Sequence, residues 1–81
     1  MREFTDGEGA GWVATVRERQ GPDYKGRYYF FLEPRSGGEG VALLDVRWNS
    51  ERTAQRTLDT MSQVELRRRL RSAVGRGAAA V

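Results

Sequence analysis

The chain has no cysteine and no histidine among its 81 residues. Disulfide staples, Cys/His zinc sites, thiol nucleophiles and imidazole acid–base chemistry are therefore excluded together. Long apolar runs are also missing, since nothing approaches the roughly 20 consecutive residues that a membrane helix needs. Met1 is followed by Arg2, Glu3 and Asp6 rather than by a basic-then-apolar export signal, so a cytoplasmic protein without membrane contact is expected. Lysine is nearly absent: Lys25 is the only one among 14 basic residues. Arginine in its place suits bidentate contact with carboxylate or phosphate, although the abundance of Gly and Ala equally fits a GC-rich coding sequence.

What remains supports one folded domain. Hydrophobic residues make up 38% of the chain and aromatic residues 10%, too much apolar material for a chain that stays disordered. A chain of this length buries only about 60% of its unfolded surface, which allows a single modest core. The expected domain covers residues 1–76, with 77–81 as a flexible tail. The net charge of +3 is unevenly placed. Residues 1–46 carry six basic against eight acidic side chains, and residues 47–81 carry eight against three, so the C-terminal part holds a charge of +5.

Alternation of period 2 and, for the third, strong β-propensity mark four strands. Arg2 to Asp6 forms a short edge strand, and Gly7, Gly9 and Gly11 permit a hairpin turn into Trp12 to Arg19. There Trp12, Ala14 and Val16 share one face, with Val13, Thr15 and Arg17 on the other. Gln20 to Gly26 is a loop rich in breakers, and Arg27 to Glu33 is the strongest strand. Pro34 and the glycines that follow make a second hairpin into Val41 to Trp48, in which regular alternation places Ala42, Leu44, Val46 and Trp48 toward the core. The period then changes to 3.6. Asn49 or Ser50 caps a helix with Ala54, Leu58 and Met61 on its apolar stripe. Ser62-Gln63-Val64-Glu65 matches a capping box, flanked by Met61 and Leu66 as a hydrophobic staple. Leu66, Leu70, Ala73 and Val74 are the buried positions of this second segment, which Gly75 and Gly77 should end. The expected fold class is α+β: an antiparallel three- to four-stranded meander followed by one bent or two short C-terminal helices packed on one face.

Such helices cover only one side of the sheet. If Tyr28, Phe30 and Leu32 face inward, Val13, Tyr29, Phe31 and Leu43 compose an apolar outer face, a candidate contact surface for another protein or a second copy. A curled sheet that buries both faces is the alternative. The Arg67, Arg68, Arg69 and Arg71 cluster is a candidate for phosphate or an acidic protein surface, with nucleic acid as the second partner class. The aromatic strand beside Arg27 and Arg47 also permits base stacking, but no sheet-type RNA-binding signature occurs.

No catalytic constellation, metal-ligand spacing or cofactor motif is present. Gly7-Glu8-Gly9-Ala10-Gly11 precedes a strand rather than a helix and reads as a turn, not a phosphate loop. The expectation is a non-catalytic interaction module without cofactor or small-molecule substrate, acting as an accessory or regulatory subunit.

Phe4-Thr5-Asp6, the glycines, Trp12-Val13, an aromatic middle strand, Trp48 and Met61-Ser62-Gln63-Val64-Glu65-Leu66 together resemble a group of small bacterial proteins. The resemblance implies a bacterial origin and the strands-then-helix layout. It implies no activity and carries over no functional residues.

Overall fold

The computed structural model describes residues 1–19 and 26–79, so most of the expected Gln20 to Gly26 loop and the last two residues of the expected tail lie outside the described residues. Four strands form, β1 (Arg2–Thr5), β2 (Gly11–Glu18), β3 (Tyr28–Pro34) and β4 (Val41–Trp48), followed by α1 (Glu51–Thr60) and α2 (Gln63–Ala79). The strands make one antiparallel sheet in the order β1-β2-β3-β4. Both helices pack on the same side: α1 lies over β2, β3 and β4, and α2 reaches the two edge strands β1 and β4. The α+β meander expected from the sequence is the observed architecture.

The layer between sheet and helices is wholly apolar. Phe4, Ala14, Phe30, Leu32 and Leu43 from the sheet meet Ala54, Leu58, Met61, Leu66, Leu70 and Ala73 from the helices, and among the described residues no polar residue is buried. Trp48 closes one end by stacking on Phe30, with ring centroids 4.3 Å apart.

Regular alternation fails in β4. Tyr28 pairs with Trp48 but Phe30 pairs with Leu43, so a single residue of β3 faces four of β4. This wide bulge inserts an odd number of extra residues and inverts the faces across it. Leu43 is therefore 3% exposed in the core, whereas Leu44 and Val46 stand at 46% and 39%. The expectation that Ala42, Leu44 and Val46 face inward is corrected; of that set only Trp48 packs against the core.

The helices are separate. Ser50 Oγ accepts from Thr53 N at the start of α1, and Met61, in extended conformation, ends it. Ser62 Oγ accepts from Glu65 N, the forward half of the expected capping box. Helix α2 runs through Gly75 and Gly77 to Ala79, past the expected stop. Each interior glycine disfavours a helix by only about 1 kcal/mol, and the neighbouring alanines favour it. Val74, expected in the buried stripe, is 49% exposed.

Side chains from the helices also protect the β1 edge. Gln63 Nε2 donates to Glu3 O and Arg67 Nε donates to Thr5 O, at 3.2 and 2.7 Å. Positions i and i+4 of a helix are about 6 Å apart along its axis, close to the roughly 6.7 Å between alternate residues of a strand. The two side chains thus meet consecutive outward carbonyls of an edge strand, groups that otherwise invite another chain. From the other direction, the Arg2 guanidinium donates to Leu58 O and Asp59 O, satisfying carbonyls at the C-terminus of α1.

The β1–β2 turn is organised by Asp6. Its Oδ1 accepts from Glu8 N and Ala10 N, its Oδ2 accepts from Trp12 Nε1, and its own N–H donates to Ala10 O. The indole N–H, followed by the backbone donors, holds the carboxyl below the ordinary aspartate range. A depressed folded-state pKa stabilises the fold above the unfolded value of about 3.9 and ceases to do so as pH falls through the folded value. Asp6→Asn should lower stability at pH 7 and flatten its dependence between neutral pH and about pH 3, as read from urea midpoints across that range.

Candidate interaction surfaces

On the helix-free side, the register builds rows of neighbours. Val13 lies between Glu3 and Glu33, Phe31 lies between Thr15 and Ala42, and Tyr29 is opposite Arg17. Val13, Tyr29 and Phe31 are half-buried. The sequence placed these three on one outer face, and the structure brings them together there; Leu43, the fourth, belongs to the core for the reason given by the bulge.

Phe31 is the best-supported side chain of this face. The Arg17 guanidinium lies 3.8 Å from its ring centroid and is held there by Glu33, at 2.6 Å. Gly40 lies against its edge, where an added Cβ would fall inside the ring. Both charged partners are nearly half exposed, so the ion pair itself contributes about 0–1 kcal/mol and the cation–π contact about 0.5–1 kcal/mol. The arrangement fixes the ring rather than strongly stabilising the fold. Neither Arg17 nor Gly40 was identifiable as a support for Phe31 from the sequence, because the pairing depends on the β2–β3 and β3–β4 registers.

The four α2 arginines separate by role. Arg67 is committed to Thr5, through both O and Oγ1. Arg68 and Arg69 pair with Glu65 at 3.4 and 3.3 Å. The Arg69 contact is an ion pair only: its Nε is buried and forms no well-directed hydrogen bond. Arg71 is exposed and forms no ion pair or hydrogen bond among the described residues. Sequence spacing spread these side chains around the helix, and the structure supplies the internal acceptors that three of them use.

Two of the hollows among the described residues bear on binding. One, about 620 Å³, is the open outer face of α1, lined by that helix alone. The other, about 390 Å³, runs between the β1–β2 turn and α2. No group of metal-ligating side chains occurs among the described residues. The Tyr28 hydroxyl is likewise displaced, raised by desolvation and then by the neighbouring Glu18 carboxylate. Both displacements come with structural contacts between adjoining backbone segments.

The fold and these surfaces define a small two-layer α+β domain with one unlayered sheet face. No helix among the described residues is long and apolar enough to cross a membrane. Comparison with known proteins adds no relative: no family model matches the chain, and neither a curated protein nor a solved structure matches it.

Proposed function

We propose that the chain is a cytoplasmic, non-catalytic protein-interaction module, an accessory or regulatory subunit of a bacterial assembly, with the outer sheet face around Tyr29 and Phe31 as its contact surface. The observation that carries this reading is the placement of both helices on one side, which leaves the opposite face without a second layer among the described residues. Leu44 and Val46 add exposed apolar area on β4. Contiguous apolar surface on one face is characteristic of interfaces, and a second copy of the chain is one partner that it admits.

The alternative reading, nucleic-acid binding through α2, draws on the +5 charge of the C-terminal part. The internal partners of Arg67, Arg68 and Arg69 reduce the guanidinium groups available to phosphate. Affinity capture with the intact chain and with a Tyr29→Ala/Phe31→Ala variant, each with and without nuclease, separates the two. A defined protein set that survives nuclease and is lost with the double variant supports the outer-face reading. Recovery that collapses with nuclease, or that ignores the double variant, overturns it. Light scattering over a dilution series reports self-association.

A further inference from the structure

The groove between the β1–β2 turn and α2 lies on the helical side of the sheet, so what it binds is independent of the outer-face reading. Its helical wall is a single stripe, Arg67, Leu70, Arg71 and Val74, at spacings i, i+3, i+4 and i+7. Trp12 and the turn residues Asp6, Gly7 and Glu8 form the opposite wall.

Three properties distinguish this groove from an incidental hollow. Its walls are pinned, the turn by four hydrogen bonds to Asp6 and the helix by the Arg67 contacts to Thr5. Preorganised walls lower the ordering cost of binding. It offers apolar surface from Trp12 and Val74, the latter 49% exposed, above the buried Leu70. It also presents two opposite charges without internal partners among the described residues, Arg71 on the helix and Glu8 on the turn. Asp6 does not compete with them, because its carboxylate is occupied by its own turn and by the Trp12 indole.

A complementary ligand must therefore present an apolar group, an anion for Arg71 and an N–H donor for Glu8 within a short span. The C-terminal residue of a polypeptide carries all three: an apolar side chain, the terminal carboxylate and its own backbone N–H. A fatty acid lacks the donor, and an internal Asp or Glu lacks the apolar side chain. The groove is partly open to solvent, which leaves an exit for the preceding residues of a bound chain. The +5 charge of the C-terminal part favours the approach of a carboxylate.

We propose that this groove binds the apolar C-terminal residue of a partner polypeptide, its side chain against Trp12 and Val74 and its carboxylate on Arg71. The test is a titration of the isotope-labelled full chain with acetyl-Gly-Gly-Leu, its C-terminal amide, and free leucine. The Trp12 indole N–H resonance is the local reporter, the Trp48 indole is the internal control, and a Trp48→Phe variant assigns the two.

The expected result is a saturable shift of the Trp12 indole and of the Leu70 and Val74 amides with the acid peptide. The amide peptide, and the acid peptide on Arg71→Ala, should each bind about tenfold more weakly, the effect of losing one charge-assisted contact. Arg71 is exposed, so its variant should retain the parent spectrum away from the groove. Equal binding of acid and amide, no saturable shift, indifference to Arg71→Ala, or shifts mapping to Tyr29 and Phe31 would each overturn the assignment. Free leucine binding as tightly as the peptide would overturn the polypeptide as the source.

Discussion

Phe30→Ala is expected to destabilise the chain by about 3–5 kcal/mol, the cost of emptying a large aromatic site in a packed core. Phe30 is 1% exposed and carries the Trp48 stack at its edge, so its removal leaves both a cavity and an unsupported indole. At roughly 0.05–0.15 kcal/mol per residue a chain of this length has a total stability of about 4–12 kcal/mol, so the variant should lose a large fraction of it. Phe31→Ala, one residue away, should cost about 1–2 kcal/mol: partial loss of burial plus the cation–π contact with Arg17. Urea unfolding followed by circular dichroism compares them without relying on Trp48 fluorescence. A larger loss at Phe31 than at Phe30 would mean that the faces of β3 are reversed, and the proposed outer surface would go with them.

Leu43→Ala and Leu44→Ala test the β4 bulge in the same way. The first should cost about 2–5 kcal/mol as a buried leucine truncated in place, and the second should remain within about 0.5 kcal/mol. Regular alternation predicts the reverse order, because it directs Leu44 inward. The midpoint should move at Leu43 with little change in denaturant slope, since the surface exposed by unfolding is nearly the same. Equal, intermediate losses at both positions would mean that the β4 register is not fixed as described.

Of these two pairs of variants, the β4 pair falls where the sequence was least sufficient. Strand β3 was legible because R-Y-Y-F-F-L-E is rich in aromatic residues of high β-propensity, and the structure buries the set, Phe30 and Leu32, that the sequence could place inward only conditionally. Strand β4 was legible as an element, but its faces were not. V-A-L-L-D-V-R-W contains apolar residues of both parities, and only pairing with β3 determines where the extra residues are accommodated. The outer face was partly legible for a related reason: Val13, Tyr29 and Phe31 follow simple alternation, whereas Leu43 depends on the bulge.

The charged residues show a different limit. Arg67, Arg68, Arg69 and Arg71 read as a cluster spread around one helix, because their spacing along that helix was the only relation visible. Glu65 is close enough in sequence to have suggested the pairs with Arg68 and Arg69. Thr5, 62 residues from Arg67, gave no such signal. The same holds for Gln63 on Glu3 and Arg2 on the end of α1, long-range contacts that lock the β1 edge to the helices.

The sequence by itself determined the chemistry that is excluded, by the absence of Cys and His, and the order of elements, by a change of hydrophobic period near Asn49. Those properties are local, carried by composition and by spacings of two to four residues. Tertiary structure decided which side of β4 is buried, which arginines are engaged, and that Glu8, Trp12 and Arg71 line one groove. Each depends on a register or a crossing between segments distant in sequence, and neither propensity nor periodicity specifies where such segments meet.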